Sequence, residues 1–182
     1  MDRLVSKDDI NLFMENILKK VMKEDLRKDW KQLVKKEPLL FADFVPTKYP
    51  NGDKTKPPIQ DVYCELIDRE AIQRTCDEKL AAYNREKDSK LNLVLFENAI
   101  EHLVRIVRII STENGHAFLV GIGGSGKRSL AKLATYIASF DIFSIEITKK
   151  YDYEKEWVED LIKMFKQIGL EDQKMVFLFS DN

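Results

Sequence analysis

The sequence predicts an α/β fold: an incomplete parallel sheet of three strands with flanking helices, preceded by a helical segment. Three observations carry this. A glycine-rich turn, Gly121-Ile122-Gly123-Gly124-Ser125-Gly126-Lys127, follows the short apolar run Ala117-Phe118-Leu119-Val120. After the turn, Leu130, Leu133, Ile137 and Phe140 recur at helical spacing, so a helix begins near Lys127. Two more apolar runs, residues 142–147 and 176–179, then alternate with a helical pattern. Repeated strand, helix and strand make a parallel sheet covered by helices.

Along the chain, residues 1–36 read as helical. Ser6 and Asp9 resemble a capping box, and Ile10, Phe13, Met14, Ile17, Leu18 and Val21 form one apolar face. A second helix is expected over residues 24–35, with Leu26, Trp30 and Leu33 inward. All five prolines fall between Glu37 and Pro58, and with Asn51-Gly52 they mark a long connection between domains. Leu39, Leu40, Phe41 and Phe44 would pin it to a neighbouring surface. The divisions implied are a helical segment over 1–45, a connection with a helix over 46–90, and an α/β domain over 91–182.

Asp68 is placed to cap a helix reaching about Glu86, with Ile72, Cys76, Leu80 and Tyr83 inward. Leu93-Val94-Leu95-Phe96 leads into an amphipathic helix bearing Ala99, Ile100, Leu103, Val107 and Ile110 on one face. Residues 153–168 form another helix, with Trp157, Leu161, Ile162 and Phe165 inward and Gly169 closing it.

The turn has the chemistry of a phosphate-binding loop. Glycines let backbone amides approach a phosphate that a Cβ would block, and the helix start adds unpaired N–H groups and a positive dipole end. Gly121, Gly123, Gly124, Ser125 and Gly126 would form the cradle, and Lys127 would reach the β and γ phosphates of ATP or ADP. One residue departs from the pattern. The hydroxyl residue that binds Mg²⁺ after the lysine is replaced by Arg128, which has no lone pair to give a metal. Ser129 lies about 100° further round the helix and suits the α phosphate better. Asp181, closing the last apolar run, has the form of the acid that holds Mg²⁺ opposite such a loop. Next to it Asn182 stands where an active ATPase usually has Glu, and an amide is a poor acceptor for the proton of attacking water.

The stretch from Gly115 through Leu130, with Asn92-Leu93-Val94-Leu95-Phe96, Ile147-Thr148-Lys149-Lys150-Tyr151 and Val176-Phe177-Leu178-Phe179-Ser180-Asp181, resembles the fourth AAA+ module of dynein heavy chains. The likeness is close over residues 90–182. It extends more loosely to Asp2-Arg3-Leu4-Val5 and Leu39-Leu40-Phe41-Ala42-Asp43-Phe44, which are similar to the link from the third module's lid. Asn182 makes the chain look like axonemal rather than cytoplasmic heavy chains. The resemblance implies a regulatory ATP-binding segment of a ciliary, microtubule-based motor, with weak or no hydrolysis of its own. It also implies that Val94 and Leu95 lie against adenine, and that the partners are neighbouring AAA+ modules and dynein intermediate and light chains. No stalk coiled coil is present, so no direct microtubule contact is expected. In AAA+ sheets the fourth strand lies between the first and third, so this chain is expected to fold incompletely alone. A nucleotide-free structural ring segment is the main alternative. A small P-loop kinase, whose first and third strands lie side by side, is another.

Composition narrows the classes. The chain has 182 residues, 44% hydrophobic and 34% charged, with net charge -1, which gives no electrostatic basis for nucleic acid binding. No apolar run approaches the roughly 18 residues of a membrane span, and residues 1–20 carry no secretory pattern. Two cysteines, Cys64 and Cys76, are too few for a disulfide framework and fit a reducing, cytoplasmic setting. His102 and His116 are not near a cysteine pair at zinc spacing.

Overall fold

The computed structural model describes residues 12–29, 39–46, 63–145, 151–171 and 173–180. The chain divides into two compact units, Met1–Leu39 and Leu40–Asn182.

In the first unit a π-helical stretch, Phe13–Leu18, runs directly into α1, Lys19–Glu24. Phe13, Ile17 and Val21, expected to face a core, are all exposed. The i to i+5 bonding of a π-helix turns the chain less per residue than the α-helical spacing assumes. No second helix or strand covers that face among the described residues of this unit. The helix expected over residues 24–35 does not begin as predicted: Asp25 and Leu26 form a turn and Arg27 sits at φ +50°. Its remainder, the Ser6–Asp9 cap and Ile10 lie outside the described residues.

The second unit opens with a short antiparallel pair, β1 (Phe41–Ala42) and β2 (Cys64–Glu65). Three helices follow: α2 (Arg69–Glu86), α3 (Glu97–Ser111) and α4 (Lys127–Ile137). The Asp68 side chain caps α2 by accepting from Glu70 N and Ala71 N, each at 3.1 Å. The capping carboxylate satisfies two of the N–H groups that a helix start leaves open. The core lies where α3 packs on α4 and both meet α2, with Ile72, Cys76, Leu103 and Leu133 fully enclosed. Leu40, Ala42, Val45 and Leu66 from the β1–β2 region share this core.

The sheet is smaller than the sequence predicts. β3 (Asp141–Ser144) and β4 (Met175–Leu178) pair in parallel, in register from Asp141 opposite Met175 to Ser144 opposite Leu178. The crossover between them is α5, Glu156–Glu171. The expected first strand, residues 117–120, is not a strand: it joins no ladder, and Phe118 and Val120 are 93% and 79% exposed. A strand exists through its partners, and β3 and β4 pair with each other but not with these residues. Leu119 alone packs onto the core. Residues 146–150 lie outside the described residues.

α5 also differs from its expected face. Met164 is its buried residue, Trp157 and Leu161 are half-buried, and Ile162 and Phe165 are exposed. The helix passes through Gly169 instead of ending there. Trp157 instead joins Phe177 and Phe179 in a tilted and edge-on aromatic group at centroid distances of 6.3 and 6.4 Å.

Candidate nucleotide-binding loop

The loop between residue 120 and α4 is built by two glycines in left-handed backbone. Gly124 has φ +75° and Gly126 φ +78°, a region that costs a residue with a Cβ about 1–2 kcal/mol. Gly126 is also the N-cap of α4, and its carbonyl accepts the first helical bond, from Leu130 N at 2.8 Å. Alternation of right- and left-handed residues turns successive N–H groups toward one side, the geometry that forms anion-binding concavities. Ser125 N donates to Ile122 O at 3.3 Å and tightens the turn.

Lys127, the first residue of α4, folds back over the loop. Its Nζ donates to Gly121 O at 2.7 Å and Ile122 O at 2.8 Å, with a longer contact to Ser125 Oγ at 3.3 Å. An ammonium has three donors. Two close the ring of the loop through backbone carbonyls, and the third makes the weak contact that an anion's oxygen would replace. A charge-assisted bond to phosphate is both shorter and stronger than one to a hydroxyl at that distance.

Arg128 extends toward the end of β4. Its Nη2 donates to Ser180 Oγ at 2.7 Å, tying the start of α4 to the chain just beyond β4. Sequence reasoning saw that Arg128 displaces a metal-binding hydroxyl but gave no sign of its acceptor, which is 52 positions away. Ser129 lies one residue further into α4 and is half-buried. Asp181 and Asn182, expected as metal ligand and as substitute for the catalytic base, lie outside the described residues.

The segment expected to meet adenine lies beside the loop. A Cβ on Gly126 would stand 3.3 Å from Leu93 Cδ2, so this segment is packed against the loop's base. Val94 is 81% exposed, whereas Leu95 is buried in the core and its carbonyl accepts from Gln73 Nε2 at 2.8 Å. Leu93 and Gln73 are the supports that pattern reading missed. A separate cleft of about 360 Å³ lies between β1 and the end of α3, lined by Phe41, Asp43, Tyr63, Val107 and Arg108, and shares no residue with the loop.

The family model for the P-loop containing dynein motor region D4 matches residues 91–182. The chain belongs to the dynein heavy chain family. It is 39% identical over 180 residues to human dynein axonemal heavy chain 10, covering 99% of this chain and 4% of that protein. Mouse dynein axonemal heavy chain 2 is 41% identical over 146 residues, 79% of this chain and 3% of its own length. The Chlamydomonas reinhardtii dynein beta chain of the flagellar outer arm is 35% identical over 149 residues, 82% of this chain and 3% of its own. The chain thus spans about one twenty-fifth of the heavy chains it matches. In this dynein segment the first predicted strand pairs with neither of the other two, so the first-beside-third pairing of the kinase arrangement is not formed among the described residues.

Proposed function

We propose that this segment is the nucleotide-binding part of the fourth AAA+ module of an axonemal dynein heavy chain, regulating the motor and hydrolysing ATP weakly or not at all. The observation that carries the reading is the closed loop: Gly124 and Gly126 in left-handed backbone, with Lys127 Nζ fastened to the Gly121 and Ile122 carbonyls. ATP or ADP would sit with its phosphates over residues 121–129 and its adenine beside Val94. Asp181 is proposed to face the phosphates, and Asn182 in place of Glu accounts for weak hydrolysis. In the whole heavy chain the sheet would be completed by a further strand beside residues 117–120, and the neighbours would be other AAA+ modules together with intermediate and light chains. Placement in the ciliary axoneme is proposed from the axonemal and flagellar relatives. Among the described residues no helix is long and apolar enough to cross a membrane.

A second reading has an observation of its own. Lys127 is satisfied by the loop itself and Arg128 by Ser180, so the loop is self-consistent without a ligand. That is what a nucleotide-free structural ring segment requires. Calorimetric titration with ADP and ATP separates the two. Binding lost in Lys127→Ala supports the nucleotide module, whereas a folded heavy-chain segment that takes up no nucleotide leaves the structural reading.

A further inference from the structure

Phosphate loops of this family are expected to share their nucleotide with Mg²⁺, held by a hydroxyl after the lysine and an acid on a neighbouring strand. The hydroxyl half of that pair does not fit the ion. The hydroxyl position is Arg128, a permanent cation with no lone pair. Its guanidinium is held by the 2.7 Å bond to Ser180 Oγ, between the start of α4 and the end of β4. A divalent ion beside the start of α4 would meet a positive charge in place of the hydroxyl ligand, and like charges repel. Among the described residues no cluster of three or more His, Cys, Asp or Glu offers another metal seat.

The same charge that excludes a metal can do part of its work. A metal at a phosphate loop bridges β and γ oxygens and neutralises their charge. Guanidinium is planar, stays charged at any physiological pH and binds phosphate oxygens through paired N–H bonds. We propose that Arg128 is the resident cation of this site, so that the loop binds ADP or ATP without a divalent metal. Ser180 is the positioning residue: it holds the guanidinium at the end of β4 and couples nucleotide occupancy to the sheet. The inference rests on the loop being a nucleotide site.

The test is photolabelling of the full heavy chain with azido-ADP and azido-ATP in excess Mg²⁺ or in EDTA, quantified on peptides covering residues 91–132. The expected result is half-saturation that differs less than about twofold between the two conditions, because charge-assisted bonds to Arg128 replace those to the metal. In Arg128→Ser, labelling in EDTA weakens about tenfold and Mg²⁺ restores it, since the new hydroxyl can ligate the ion. Arg128→Lys retains a cation and keeps metal independence with a smaller loss, which guards against a folding defect in the serine variant. Labelling of the unaltered chain that requires Mg²⁺ overturns the proposal and leaves the nucleotide site standing. No labelling of these peptides in either condition, with other nucleotide sites of the same chain labelled, overturns both.

Discussion

At the scale of single residues, the loop is held by backbone conformation more than by side chains. Gly126 combines φ +78° with a Cβ position 3.3 Å from Leu93 Cδ2, so Gly126→Ala carries left-handed strain and a tight contact together. We expect it to lower stability by about 1–2 kcal/mol in urea unfolding. Gly123 has no positive φ and no atom within 4 Å of an added Cβ, so Gly123→Ala should stay within about 0.5 kcal/mol. Equal costs for the two variants would show that the backbone reading of the loop is wrong. The cysteines give a pH prediction. Burial, helped by the Asp77 carboxylate, pushes the Cys76 thiol from 9.0 up to about 12, while Cys64 is only half-buried. The folded state disfavours the Cys76 thiolate, so this contribution to stability is complete below pH 9.0 and is lost as pH rises toward about 12. Thiol labelling of the native chain at pH 8 should therefore modify Cys64 and spare Cys76. Labelling of both at equal rates would place Cys76 outside the core.

At the scale of elements, burial sorts the helices by what a truncation would cost. Leu133 on α4 is fully enclosed between α3 and α2, so Leu133→Ala should cost about 2–5 kcal/mol. Phe165 on α5 is exposed, and Phe165→Ala should change thermal stability little, within about 0.5 kcal/mol. Matching losses would mean that α5 buries its outer face in a way this structure does not show. These two helices also show what could be read in advance. α2, α3 and α4 were legible because each carries a long apolar stripe at helical spacing, and α2 has Asp68 at its start. The loop was legible because its glycines and lysine form a dense local pattern. α5 was legible as a helix but not in its facing, since the stripe Trp157, Leu161, Ile162 and Phe165 gives no sign of which part finds a partner. Residues 117–120 carried the apolar signature of a buried strand, yet a strand's partners are supplied by distant sequence. The bond from Arg128 to Ser180 was hidden for the same reason.

At the scale of the whole molecule, the order of pairing says what the fold is prepared to receive. β3 and β4 satisfy each other in parallel, and the extended segment before the loop pairs with neither. Phe118 and Val120 are large apolar side chains facing solvent, while Leu119 between them touches the core. That alternation is what a half-covered strand shows once a neighbour is in place. An inserted strand between this segment and β4 would pair backbone groups on both sides and give both side chains cross-strand neighbours on their face of the sheet. Cross-strand contacts of this kind contribute about 0.2–1 kcal/mol each, so the ladder bonds carry most of the change. Hydrogen exchange is the direct measurement. In this chain the amides at Phe118 and Val120 should exchange faster than those of β3. In a longer heavy-chain segment that includes the following strand, their protection should rise by at least about tenfold, as ladder bonds form where water stood. Protection already equal to that of β3 in the shorter chain would mean that residues 117–120 have found a partner here. The sheet would then be closed by a different order, and the argument against the kinase arrangement would fall with it.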